Sequence, residues 1–278
     1  MLIVRLATAA ILIPILLAVL LAGGLVLTAT IALVTLVAGA EVGSLLRRAG
    51  FPVSPPLVAA LATLAVVEAA AAPLETFWAL PAWIVAVVVA GAGSGLTAMD
   101  TRQGLLVWAG TVFGALYAGM LAFLLRIPVL AGTAAAEGRL VEALDAGRVW
   151  LLVLVLGVWA YDSAAYGVGR VWARGHFFPR ISPHKTWSGT AGGTIAAVVA
   201  CGALGLAVGR PAEGVGLGVL VALAAPLGDL AESVLKRAAG VKDSGQLIPG
   251  HGGMLDRVDS FLIAAPLAWV YLDVVGII

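Results

Sequence analysis

Lys236, Arg237, Lys242, Asp243, His251, Asp256, Arg257 and Asp259 all fall within the 27 residues from Ser233 to Asp259. They stand out in a 278-residue chain that is 62% hydrophobic and only 11% charged. A chain of that composition has no need of such a loop for stability, so the loop has to touch something charged. Lysines and arginines side by side bind phosphate oxygens. The accompanying carboxylates, with no cysteine or histidine cluster, suit a hard, oxygen-preferring cation such as Mg2+. Together these groups can carry phosphoryl or nucleotidyl transfer. In that chemistry metal ions bridge the phosphates, cations absorb developing charge, and positioning does most of the catalysis. The turn Gly250-His251-Gly252-Gly253 lets the backbone approach an anion closely, ahead of the amides that open the last apolar segment. Gly252 and Gly253 are therefore candidate substrate-binding residues.

A second polar stretch belongs with the first. All three lysines (Lys185, Lys236, Lys242) and all three histidines (His176, His184, His251) lie in segments 170–187 and 232–257. Anchors that snorkel to the membrane surface would be spread over the other loops as well. Acids follow the same pattern. Asp229 lies in Pro226-Leu-Gly-Asp-Leu, and Asp256 and Asp259 straddle Arg257 at a spacing that puts both carboxylates on one helix face. Asp162, Glu41 and Glu68 also fall inside apolar segments. An ionisable group in a bilayer is costly, which makes each a functional candidate, with a polar contact between helices as the alternative. For Glu41 and Glu68 a substrate-lining role and a packing role are equally open.

The elements that must position these residues are apolar. Mean hydropathy is +1.10, and nine apolar segments can be marked: 6–22, 25–45, 57–73, 77–97, 105–125, 149–169, 187–208, 214–231 and 258–277. Each is close to the roughly 20 residues that cross a hydrocarbon core, and no ten-residue alternation suggests a barrel. The expectation is an all-α, polytopic integral membrane protein of about nine transmembrane helices with two charged cytoplasmic loops. Arg5 followed by an apolar run resembles a signal peptide, but the run continues through Gly23-Gly24 into a second segment and is read as a retained first helix. With the N-terminus inside, twelve lysines and arginines fall on the inner side and four on the outer side, as the positive-inside rule expects. That orientation rests on the loops 170–185 and 236–257. Residues 1–148 read as an N-terminal set of helices and 149–278 as the catalytic region. The outer loop 126–148 reads as a solvated connector. Cys201 is the single cysteine, excludes an intrachain disulfide, and reads as a small buried hydrophobe.

At these residues the chain closely resembles the phosphatidate cytidylyltransferases, or CDP-diacylglycerol synthases. Their C-terminal signature runs Ser-x-apolar-Lys-Arg, four residues, Lys-Asp-x-small, two residues, apolar-Pro-x-His-Gly-Gly-apolar-x-Asp-Arg-apolar-Asp. Ser233–Asp259 matches it at each specified position, and Gly228-Asp229-Leu230 and Glu232 extend the match upstream. Asp162-Ser-Ala-Ala-Tyr166-Gly167 and Ile181-Ser182-Pro183-His184-Lys185-Thr186-Trp187 resemble a second conserved region. There the family commonly has Ser-Pro-Lys-Lys-Thr-x-Glu-Gly, whereas this chain carries His184 and Ser188.

The resemblance implies the reaction CTP + phosphatidate → CDP-diacylglycerol + diphosphate with a divalent metal, Mg2+, as one ion or two. By matched position Asp229 and Asp256 would hold the metal, with Asp259 a third ligand or a partner of the ligands. Lys236, Arg237, Lys242 and Arg257 would bind the triphosphate and the lipid phosphate, and Asp243 and His251 would orient them. Ser182, Lys185 and Thr186 would close over CTP. The implied partners are CTP, phosphatidate, the bilayer and a second copy of the chain in a homodimer, with no nucleic acid. CTP is a cytosolic polyanion and phosphatidate holds its phosphate at the headgroup plane. The site is therefore expected at the cytoplasmic face of a prokaryotic inner (plasma) membrane. Two other activities compete: a CTP-using polyprenol or phytol kinase, and a transporter. The full Lys-Asp…His-Gly-Gly…Asp-Arg pattern argues against the kinase, and convergence of the lysines and histidines on two loops argues against the transporter.

Overall fold

The computed structural model describes residues 13–71, 79–130, 139–247 and 252–278. Among them the chain is helical, without a strand. The helices are α1 (Ile13–Ala22), α2 (Gly24–Arg48), α3 (Pro55–Ala71), α4 (Ala79–Leu96), α5 (Thr101–Gly119), α6 (Phe123–Leu130), α7 (Arg139–Ala143), α8 (Ala146–Val171), α9 (Trp187–Ala207), α10 (Pro211–Ala238) and α11 (Leu255–Val274). Backbone that is fully hydrogen-bonded within each segment is what an apolar environment demands.

Each expected apolar segment coincides with a helix, the first from residue 13 onward. The fifth runs longer than expected, because α5 continues through the 3-10 turn Met120–Ala122 into α6. Six of these elements are long and apolar enough to cross a membrane: α2, α4, α5 with α6, α8, α9 and α10. The chain is thus an all-α, multi-pass membrane protein. Among the described residues the apolar helices α1 and α3 are shorter, at Ile13–Ala22 and Pro55–Ala71. Helix α11 carries Asp256, Arg257 and Asp259 in its first two turns.

Two compact units are present, Met1–Arg126 with Val234–Val258, and Ile127–Ser233 with Asp259–Ile278. In the first, α2 packs on α3 and α5, and α4 on α5. Small residues make this possible. A Cβ at Gly43 of α2 would stand 2.6 Å from Pro55 Cα at the start of α3, so only glycine admits that approach. Glu68 of α3 forms a buried ion pair with Arg126, whose guanidinium also lies 5.6 Å from the Phe123 ring centroid. Glu68 is therefore a packing residue, one of the two roles open to it from sequence. In the second unit α8 packs on α9. Cys201 is buried there, as its apolar setting predicts.

The segment between α8 and α9 is tied down by its own backbone. His176 and Thr186 form an antiparallel bridge, Phe177 N–H donates to Lys185 O at 2.8 Å, and Trp187 N–H donates to Gly175 O at 2.9 Å. The Phe177 and Trp187 rings meet edge to face at 4.4 Å. Thr186 is the N-cap of α9, its hydroxyl accepting from Gly189 N–H at 3.1 Å.

Candidate functional site

The Val234–Val258 part of the signature lies in the first unit and supplies the end of α10 and the start of α11. The centre of this arrangement is Asp256. Its Oδ1 accepts from Lys236 Nζ at 2.7 Å, and both side chains are nearly buried, at 11% and 7% exposure. Its Oδ2 accepts from Ser244 N–H at 2.9 Å, Ser244 Oγ at 2.8 Å and Gly253 N–H at 2.8 Å. Asp256 precedes the apolar run of α11 and sits where the helix leaves amides without intrahelical partners. Burial pushes its carboxyl up. The hydrogen bonds from Lys236 and from the Gly253 and Ser244 amides, with the Lys236 charge, outweigh that and hold it below the usual carboxylate range.

The glycines are dictated by this carboxylate. Gly252 has a φ of 84°, and a Cβ there would lie 2.6 Å from Asp256 Oδ2. At Gly253 a Cβ would lie 2.2 Å from Ser244 Oγ. Both are read from sequence as residues that let an anion approach; here the anion they admit is the protein's own. Four other charged residues of the signature face outward. Arg237, Lys242, Asp243 and Arg257 are exposed, with Arg237 Nη1 donating to Val241 O at 3.2 Å. His251 lies outside the described residues.

A residue from the other end of the chain enters this network. Glu41 of α2 accepts from Ser244 Oγ at 2.9 Å, Met254 N–H at 3.0 Å and Leu255 N–H at 2.7 Å. Sequence left its role undecided between lining and packing, and Ser244 is an unspecified position of the signature.

The second unit assembles an acidic group. One carboxylate oxygen each from Asp229, Glu232 and Asp259 lies within 4.8 Å of the others. Asp229 and Glu232 are three apart on α10, hence on one face, and Gly228 brings α11 close to that face. A Cβ at Gly228 would stand 2.3 Å from Asp259 O. Lys185 Nζ pairs with Asp229 Oδ2 at 2.7 Å and reaches Pro226 O at 3.4 Å, and Ser233 Oγ donates to Asp229 Oδ1 at 3.3 Å. Three carboxylates at this spacing fit a hard divalent cation. Glu232 is fully buried; in the sequence it extends the family signature upstream and stands three residues from Asp229, but neither marks it as a member of an acidic group. Asp256 belongs to the lysine network of the first unit, and Asp229 and Asp259 to this group.

Of the loop residues matched to CTP closure, Lys185 reaches Asp229, Thr186 is buried as a helix cap, and Ser182 is half-buried with its N–H on Phe178 O at 3.0 Å. Ser188, which departs from the common pattern, is a staple: its Oγ donates to Trp172 O at 3.1 Å and accepts from Arg174 N–H at 3.3 Å.

These features define a class: a polytopic α-helical membrane protein that carries a carboxylate group fit for a divalent cation and a glycine-bearing lysine–carboxylate loop. Residues 3–275 match the cytidylyltransferase family, and the chain belongs to that family. Among its relatives are proteins named phosphatidate cytidylyltransferase from Brucella suis, 45% identical over 128 residues, and from Mycobacterium bovis, 41% identical over 128 residues. Another of that name, from Haemophilus influenzae, is 44% identical over 127 residues. These alignments take in 43–45% of this chain, and the chain spans somewhat less than half the length of each of these relatives, 47%, 42% and 44% in turn.

Proposed function

We propose that the protein transfers a cytidylyl group from CTP to phosphatidate, forming CDP-diacylglycerol and diphosphate. The observation that carries this reading is the fold of the signature itself. Ser233–Asp259 wraps Lys236, Ser244 and two glycine backbones around one ionised carboxylate, beside exposed Lys242 and Arg257. Relatives that share part of this chain carry the name of that activity.

In the reaction a phosphatidate phosphate oxygen attacks the α-phosphorus of CTP, the bond from that phosphorus to the bridging oxygen breaks, and diphosphate leaves. The substrate is its own nucleophile, so no serine, cysteine or histidine nucleophile of the chain is needed. Lys242, Arg257 and Arg237, exposed on the connection and its flanking helix turns, bind phosphate oxygens as point charges and forks. Lys236 is held in place by Asp256 and neutralises charge from behind them. Asp243 and His251 orient these cations, and Ser182 and Lys185 approach CTP from the segment between α8 and α9. Asp229, Glu232 and Asp259 would hold the divalent cation, Mg2+, which when bound supplies charge neutralisation at the phosphates. Asp256 was matched to a ligand role as well. Its hydrogen bonds from Lys236 and from the Ser244 and Gly253 amides favour the role of organising the loop and Lys236 instead.

The site is read as facing the cytoplasm from the inner membrane, since CTP is cytosolic, and the protein as a homodimer by resemblance. Purified protein given phosphatidate, Mg2+ and labelled CTP should yield labelled CDP-diacylglycerol and diphosphate. Formation of CDP and a newly phosphorylated lipid would select a kinase and overturn the transfer.

A further inference from the structure

Glu41 is the one carboxylate of the membrane helix α2, two turns from its C-terminal end. Such a group is expensive to retain. Here its charge is met by the Ser244 hydroxyl at 2.9 Å and by the amides of Met254 at 3.0 Å and Leu255 at 2.7 Å. Those two amides open α11 and have no partner within it, and the positive end of the helix dipole favours an anion there. Space has been cleared for the side chain. A Cβ on Gly253 would lie 2.5 Å from both Glu41 oxygens, and one on Gly245 would lie 2.5 Å from Oε1.

The Ser244 hydroxyl stands between two carboxylates, 2.9 Å from Glu41 Oε2 and 2.8 Å from Asp256 Oδ2. It has one proton for the two. Met254 and Leu255, which Glu41 holds, directly precede Asp256, which in turn holds Lys236. The chain of contacts therefore runs from α2 to the Lys236 ammonium.

We propose that Glu41 is a positioning residue for the cytidylyl transfer: it clamps Ser244, Met254 and Leu255 to α2 and so fixes the direction of Asp256 and Lys236. This assignment rests on the transfer reading given above, and it places part of the machinery in the N-terminal half of the chain. Glu41→Gln keeps shape and one acceptor oxygen, whereas Glu41→Ala removes the clamp.

In the full-length protein in detergent, Glu41→Ala should lower kcat by about 10- to 100-fold, the range for partners of site residues. Glu41→Gln should recover part of that loss. KM for CTP and phosphatidate should change far less than kcat, with the thermal unfolding midpoint near that of the wild type. Hydrogen exchange of the 252–256 amides should quicken in Glu41→Ala while residues 24–38 of α2 stay protected. Loss of kcat only in proportion to lost folded protein, or wild-type exchange at 252–256, would overturn the clamp. If the wild type makes no CDP-diacylglycerol, the transfer reading fails on its own, and the exchange measurement alone then decides the clamp.

Discussion

Asp256 ties Lys236, Ser244 and Gly253 of the signature together, and its environment sets what substitutions there do. Replacing it by asparagine leaves the Lys236 ammonium nearly buried beside a neutral amide, which costs far more than losing an exposed pair. Asp256→Asn should cut turnover by about 100-fold or more, the upper range for residues that orient a site, while the detergent-solubilised protein still elutes as a folded species. Near-normal turnover would remove Asp256 from the proposed machinery. Asp229→Asn should act differently. It removes one carboxylate of the acidic group and the partner of Lys185, so the Mg2+ concentration for half-maximal activity should rise by about tenfold. An unchanged Mg2+ requirement would take Asp229 out of the cation site. Both residues could be picked out from sequence, because charge is conspicuous in an apolar chain. Their separate roles could not. Lys185, Lys236, Asp229 and Asp256 have the same character as text, and which lysine meets which carboxylate is a matter of distance.

The helices themselves were legible in the sequence. Uninterrupted apolar runs near the length of a bilayer crossing permit little else, and the nine marked segments coincide with helices among the described residues. Ends were harder to place, since polar turns extend beyond the apolar run, as where α10 reaches Ala238 and carries Lys236 and Arg237 in its last turn. The contacts between helix ends and loops yield two further predictions. Thr186→Ala removes the N-cap of α9 and should lower stability by about 1 kcal/mol, measured as a reduced unfolding midpoint in detergent. An unchanged midpoint would show that the cap is not needed. Gly228→Ala puts a methyl group 2.3 Å from Asp259 O. It should force the two helices apart and destabilise by about 1–3 kcal/mol, with a raised Mg2+ requirement as Asp259 moves. A variant with wild-type stability and Mg2+ dependence would refute the need for this close approach.

For the whole molecule the open question from sequence was which side the charged segments face. Basic residues in two loops decided the expectation, and those same residues are proposed to bind substrate, so labelling is the independent check. Cys201 is buried and leaves a quiet background. A cysteine replacing exposed Arg174 should react with a membrane-impermeant maleimide only when the cytoplasmic face is accessible. Reaction from the outside of intact cells would reverse the orientation. Composition, apolar run length and one dense signature were enough to determine a polytopic helical protein and its family, and to single out candidate residues for chemistry, because each is carried by local order along the chain. Tertiary structure alone decided that Glu41 meets Ser244, that Asp256 takes Lys236, and that Glu232 stands with Asp229 and Asp259. A helical repeat fixes the face on which a residue lies but carries no record of the neighbour that face will meet. The signature is visible in the sequence as a place of charge; which of those charges bind one another is settled only by packing.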